Sequence, residues 1–297
     1  MRAAVCREAK QPVMIEEVAM PTVGPRQLLV KVLAASLCDT DIGVLNGDYG
    51  REQFPLIIGH EAVGIVQELG LEADAFGFKV GHLVGTAPYH QMCLECYECR
   101  WIGPEFCSRM KIQGIFSPGF FAEYCTMDAA SAVVVPDDDL YKDNEKVGDK
   151  IARLSPIFCA GITVWDAIER AKLAPGESLA VIGAGGLGQL AVQYASALGA
   201  KVIALDLHDE QLRAVEGPNA VDKTLNIKDL GFKETQVQFK KLNGGHGADV
   251  ILVTTGAAIA YQTAFYCIAP LGRIIAVGLP KDPIPIPAMQ ITARCNR

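Results

Sequence analysis

The run Leu179-Ala180-Val181-Ile182-Gly183-Ala184-Gly185-Gly186-Leu187-Gly188 constrains this chain more than any other. A short apolar stretch ends in spaced glycines and continues into a helix-forming run, Leu187–Leu198, closed by Gly199. That succession predicts a buried strand, a tight turn and a helix, the opening of a βαβ unit. Strand-like runs at Lys201–Leu205, Ala248–Thr254 and Arg273–Val277 alternate with helical ones such as Glu210–Val215, ended by Gly217. Alternation of this kind predicts an α/β domain with a doubly wound parallel sheet. Leu179 to Ala200 carries no charge, yet five glycines and two glutamines interrupt it, which suits a buried strand, turn and helix better than a membrane span.

The glycines have separate tasks. Gly183 permits the tight turn, Gly185 lets the backbone approach a pyrophosphate, and Gly188 allows close helix packing. Gly186, Leu187 and Gly188 open the helix, where unpaired N–H groups and a partial positive charge favour phosphate. Asp206 ends the next strand, eighteen residues past Gly188. A carboxylate there can accept both ribose hydroxyls of NAD and repels the extra phosphate of NADP. The plainer reading of Asp206 is a cap on the helix that follows, ahead of Asp209 and Glu210. Strand, cradle and acid in register favour NAD binding.

The first half differs in character. Short apolar runs such as Leu28–Val32 and Ala62–Val66 are bounded by Gly, Pro and Asp, which predicts a β-rich, turn-rich domain. The charged stretch Asp137–Lys150 reads as an exposed loop, and Pro280–Pro287, with four prolines, as an extended tail. Within 297 residues this predicts two domains, residues 1–155 and 156–297. The net charge of −7 and the lack of any block of like charges argue against nucleic-acid or membrane partners. Charge near the N-terminus, at Arg2, Arg7 and Glu8, argues against a signal peptide, so a cytoplasmic location is expected.

Without a secretion signal, clustered thiols among the ten cysteines suggest metal ligation rather than disulfides. Cys93, Cys96, Cys99 and Cys107 form C-x2-C-x2-C-x7-C within fifteen residues. Four thiolates so close suit one tetrahedral Zn²⁺ and leave no open position, which predicts a structural site. A loop of unpaired cysteines is the bland alternative. A nucleic-acid-binding zinc module wants basic surroundings, whereas Glu95, Glu98 and Glu105 are interspersed here. Cys96 and Cys99 also form C-x-x-C, the spacing of a thiol redox site, but the neighbouring cysteines favour closed metal binding.

Three further candidate ligands, Cys38, His60 and Cys159, are far apart in sequence. Two cysteines and a histidine make a set suited to catalytic zinc, with the fourth place left for water or an alcohol oxygen. Spacing alone does not bring them together, and Cys6, Cys125, Cys267 and Cys295 read as isolated, mostly core residues. These segments, the four-cysteine cluster and the Gly183 turn resemble, in order and over nearly the whole chain, the motifs of medium-chain zinc-dependent alcohol dehydrogenases. Cys159-Ala160-Gly161-Ile162-Thr163-Val164 is especially similar to the fungal and yeast branch.

The resemblance implies a GroES-like catalytic domain followed by a Rossmann domain, two Zn²⁺ per chain, and NAD. It implies Cys38, His60 and Cys159 as catalytic zinc ligands, with Glu61 as a nearby or alternate one. Asp41 would orient His60, and Thr163 would contact the cofactor near the nicotinamide. The implied reaction is reversible hydride transfer between a primary or simple secondary alcohol and NAD, with polyols or a secondary-metabolite carbonyl as other substrates and Tyr49 and Tyr89 as pocket residues. Thr40 would pass the released proton toward the cofactor ribose; in the plainer reading it caps a helix.

Three features depart from the family pattern. Asp39 stands where relatives carry His, Arg or Gly, and its charge is expected to repel the pyrophosphate. Gly43 stands where some relatives have the histidine that finishes the proton relay. Relatives continue beyond Arg297 with a final strand that pairs between subunits, so the shortened chain is expected to be less stable and less active, and homo-oligomerisation is in doubt. These departures support a non-catalytic alternative that keeps the fold and binds zinc or NAD; Cys38, His60 and Cys159 oppose it.

Overall fold

The computed structural model describes residues 1–50, 52–136, 146–217, 220–284 and 286. It divides into two compact units, Met1–Cys159 and Ala160–Arg297. The first runs β1 (Arg2–Cys6), β2 (Met14–Glu17), β3 (Gln27–Ala35), α1 (Asp39–Asn46), β4 (Leu56–Ile57), β5 (Ala62–Leu69), β6 (Leu83–Thr86), β7 (Tyr89–His90), α2 (Tyr97–Trp101), β8 (Lys111–Ile112), β9 (Tyr124–Asp128), β10 (Ala132–Val134) and α3 (Val147–Leu154). A five-stranded antiparallel sheet, ordered β10-β6-β5-β3-β9, forms its centre, beside a three-stranded sheet ordered β2-β1-β4.

Alternation along β3 explains the core. Leu28 and Val30 are fully buried and pack with Val66, Val84, Phe120 and Met127, while Lys31 faces out. That is the period-two pattern of a sheet with one face in the core. The loop expected over Asp137–Lys150 needs correcting. Residues 137–145 lie outside the described residues, but Val147–Lys150 belong to α3. Val147, Ile151 and Leu154 recur at helical spacing and pack against Val63, Leu83, Val135 and Phe158. The intervening charges hid that stripe.

The second unit runs α4 (Ala160–Ala171), β11 (Ser178–Ile182), α5 (Gly186–Ala197), β12 (Lys201–Asp206), α6 (Asp209–Ala214), β13 (Lys223–Asn226), α7 (Phe232–Leu242), β14 (Ala248–Val253), α8 (Ala258–Cys267) and β15 (Ile268–Ala276). All strand pairs are parallel, in the order β13-β12-β11-β14-β15. The apolar runs are continuous because both faces are covered. Leu179 and Val181 pack with α4 and α5, through Val164, Ile168, Ala191 and Val192. Ala180 and Ile182 pack on the opposite face with Phe239 of α7 and Tyr261 and Ala264 of α8.

The strand order reverses at β11, whose neighbours β12 and β14 lead away in opposite directions. Ligands of such sheets bind beyond the strand ends at this switch point. β15 begins at Ile268 rather than Arg273, and its register shifts between the partners of Ala248 and Val250. The strand runs through Pro270 and Gly272 and accommodates them as an irregularity. Pro285, Pro287 and Cys295 lie outside the described residues. Among the described residues no single helix is long and apolar enough to cross a membrane.

Candidate active site

Two central strands deliver the first set of side chains. β3 and β5 are antiparallel with Ala35 opposite Ala62. The residues just past this pair, Ser36 and Glu61, therefore face each other, and the Ser36 N–H donates to the Glu61 carbonyl at 3.3 Å. The Ser36 hydroxyl donates to Glu61 Oε2. Gly59, at φ +95, turns the chain into His60, and a Cβ there would fall 2.3 Å from the Phe121 ring. That conformation and that crowding require glycine.

Cys38 is the N-cap of α1. Asp39 and Asp41 occupy the first turn, where the helix dipole favours negative charge. Asp41 Oδ2 accepts from the Cys38 N–H at 2.9 Å, and Asp41 Oδ1 accepts from His60 Nδ1 at 2.8 Å. A carboxylate only accepts, so the ring proton sits on Nδ1 and Nε2 is left as a donor to metal. His60 Nε2 lies 3.2 Å from Cys159 Sγ, which follows a 3-10 turn over Ser155–Phe158. One ligand atom from each of Cys38, His60, Glu61 and Cys159 falls within 4.8 Å of all the others. The spacing left their meeting open; the fold brings them together.

These groups perturb one another strongly. The hydrogen bond from Cys159 holds the Cys38 thiol down, to about 3, and pushes the Cys159 thiol up. Burial works against a charged His60, but hydrogen bonds to Asp41 and Cys38 raise it to about 10. Burial pushes the Glu61 carboxyl up to about 7. Two half-buried thiols, a buried imidazole and a buried carboxyl thus hold shared protons that a metal cation would release. Thr40 lies inside the first turn of α1 rather than capping it. Its hydroxyl neighbours that of Tyr49, whose ring covers Gly43 so closely that a Cβ there would fall 3.1 Å from Cε2.

The second set is local. Cys93–Cys107 Sγ atoms are 3.6 Å apart, Cys93–Cys99 3.9 Å and Cys96–Cys107 4.0 Å. All four thiols are free. A tetrahedron with Zn–S bonds of about 2.3 Å has edges of about 3.8 Å, whereas a disulfide needs about 2.05 Å. The donor set and its spacing fit zinc. α2 carries Cys99, and the N–H of Cys96 donates to Cys93 Sγ at 3.3 Å. Backbone hydrogen bonding at Glu95 pulls Cys93 down to about 6, while desolvation and the neighbouring cysteines push Cys99 up to about 12. Thiols this crowded cannot all ionise without a cation among them.

In the second unit the glycine turn has the shape expected of a phosphate cradle. Gly183 has φ +102, and a Cβ on Gly188 would fall 1.9 Å from the Gly183 carbonyl oxygen. Space around Gly185 and Gly186 is open. The N–H groups of Gly186, Leu187 and Gly188, in the first turn of α5, have no intrahelical acceptor. Asp206 accepts from the Ala184 N–H at 2.7 Å and the His208 N–H at 2.9 Å. His208 is the N-cap of α6, so Asp206 does not cap that helix. Thr163 is exposed on α4.

Comparison with known proteins agrees with both halves. The alcohol dehydrogenase GroES-like domain matches residues 24–137, and the zinc-binding dehydrogenase family matches residues 186–297. An alcohol dehydrogenase of Geobacillus stearothermophilus is 35% identical over 288 residues, 97% of this chain and 80% of that protein. The chain belongs to the medium-chain zinc-dependent alcohol dehydrogenase family. A second member, an alcohol dehydrogenase of Rhizobium meliloti strain 1021, is 36% identical over 293 residues, 97% of this chain and 79% of its own. The solved alcohol dehydrogenase of Aeropyrum pernix matches with a TM-score of 0.85 at 28% identity, covering 98% of this chain and 82% of that one.

Two residues beside these positions, Ser36 and Thr254, had no assigned role in the sequence. Ser36 was findable only through the β3–β5 register. Thr254 directly follows β14 across the switch point, and its hydroxyl donates to the Gly183 carbonyl at 2.6 Å and the Ile182 carbonyl at 3.1 Å. A polar residue at the carboxyl end of a central strand was its signal.

Proposed function

We propose that this chain is an NAD-dependent alcohol dehydrogenase acting on primary or simple secondary alcohols, with two zinc ions per chain. The observation that carries the reading is the convergence of Cys38, His60, Glu61 and Cys159, with His60 oriented by Asp41. Cys38, His60 and Cys159 would hold the catalytic zinc, with Glu61 within reach, and Cys93, Cys96, Cys99 and Cys107 the structural one. Bound zinc supplies a Lewis acid that lowers the pKa of an alcohol, and NAD supplies the hydride acceptor.

The chain's own groups do the rest. Asp41 Oδ1 keeps a proton on His60 Nδ1 and fixes the ring. Thr40 Oγ accepts the proton that the alcohol gives up as it passes its own hydroxyl proton on. Gly43 offers no onward partner, so the neighbouring Tyr49 hydroxyl receives that proton and releases its own to solvent, to which Tyr49 is 42% exposed. Gly183, Gly185, Gly186, Leu187 and Gly188 cradle the dinucleotide phosphates, Asp206 selects the ribose of NAD, and Thr163 lies near the nicotinamide.

Zinc per chain, measured by elemental analysis on purified protein, followed by an alcohol panel with NAD and with NADP, tests this reading. A ratio near two with NAD-linked turnover is expected. A ratio near one, with no turnover on any alcohol, leaves a zinc-stabilised protein without this chemistry and refutes the proposal.

A further inference from the structure

The Glu61 carboxyl is 2% exposed, sits against the metal-ligand set, and still has a polar partner of its own. Oε1 lies 3.9 Å from His60 Nε2, while Oε2 accepts a hydrogen bond from the Ser36 hydroxyl. The antiparallel ladder builds this pairing, because Ser36 and Glu61 are the next pair after Ala35 and Ala62 and are joined through the main chain as well. Ser36 directly follows β3 and Glu61 directly precedes β5, so the register of the two strands sets the contact.

A carboxylate this close to two thiols and an imidazole is a competent fourth donor. With four protein donors the site would be closed like the four-cysteine lobe, with no place left for a substrate oxygen. We infer that Ser36 is a positioning residue that latches Glu61 through Oε2 and keeps the fourth position of the Cys38–His60–Cys159 set open to an exogenous ligand. The inference rests on the zinc reading given above. It concerns one added feature, a hydroxyl on the neighbouring strand that decides between a closed and an open site.

The test uses the full chain with Co²⁺ substituted for zinc, and azide as the exogenous probe. Azide entering an open position shifts the visible cobalt bands of the wild-type protein. In Ser36→Ala the freed carboxylate competes for that position, so azide binding weakens by about tenfold or more, the scale on which groups behind metal ligands act. The same variant releases its metal to a chromogenic chelator more slowly. Ser36→Thr keeps the hydroxyl and behaves as wild type, and adding Glu61→Gln to Ser36→Ala restores azide binding. Two metals per chain with unchanged azide affinity and release in Ser36→Ala overturn the latch alone. A single metal per wild-type chain overturns the latch together with the zinc reading on which it rests.

Discussion

The two sulfur-rich sets are built in opposite ways. Cys93, Cys96, Cys99 and Cys107 come from fifteen consecutive residues and are held mainly by their own backbone hydrogen bonds and the short helix α2. Cys38, His60, Glu61 and Cys159 come from α1, the approach to β5 and the end of a 3-10 turn, and they meet only when the central sheet has formed. The first set has one kind of donor and no buried carboxylate among its candidate ligands. The second has mixed donors, a buried aspartate behind its histidine and a carboxyl held to one side. A local set can steady a lobe; a set assembled by the whole sheet can leave a position open and still be rigid.

The sharpest way to break that contrast is to remove one ligand from each set. Cys159→Ser should leave one zinc per chain and lower turnover at least a thousandfold, a loss of about 4 kcal/mol of transition-state stabilisation. Its thermal midpoint should move far less than its activity. Elemental analysis and steady-state kinetics check both. Cys107→Ser should do the reverse, costing about 3 kcal/mol and lowering the midpoint by about 10 °C, while the metal at Cys38 and His60 stays bound. If either variant loses both metals, the sets are coupled and the contrast fails.

A smaller effect separates ligands from the groups behind them. Asp41→Asn keeps the shape but weakens the grip on His60 Nδ1, so zinc affinity in chelator competition should fall by about 10–100-fold. The smallest effect lies at the base of the four-cysteine lobe. His90 Nε2 is 2.6 Å from Gln27 Nε2 and Nδ1 is 3.2 Å from Ser117 Oγ, and burial lowers its pKa. The folded state therefore favours the neutral ring, while an unfolded histidine takes up a proton near pH 6.5. Stability is full above that pH and falls below it, by at most about 1.4 kcal/mol per pH unit. Denaturant melts of His90→Gln should be flatter over the same window.

How much of this was legible in the sequence follows the same local-to-global divide. The four-cysteine cluster and the Gly183 cradle are contiguous, and spacing together with the flanking strand and helix pattern suggested their chemistry. The short apolar run Leu28–Val32 predicted a strand and the run Leu179–Ile182 a buried one; that the first buries one face and the second both is seen only in the packing. The meeting of Cys38, His60 and Cys159 was not derivable from spacing and came from the family resemblance, because the distances between them depend on strand register. Ser36 was invisible for that reason. So was the start of α3, where apolar residues at helical spacing are diluted by charge, and the early start of β15, where Pro270 and Gly272 imitate a break.

Asp206 carries a consequence for how cofactor choice in this unit can change. Its carboxylate engages the N–H groups of Ala184 and His208, which fix its position, so on the NAD reading proposed above it costs little ordering entropy when a ribose arrives. Those two donors also store an alternative. Replacing Asp206 with glycine strips away the negative charge and leaves two neighbouring N–H groups without an acceptor, the beginnings of a small anion nest. An aspartate codon becomes a glycine codon by one base change. On the NAD reading, a preference for the unphosphorylated ribose and a seat for its phosphorylated counterpart are thus separated, at this position, by a single evolutionary step.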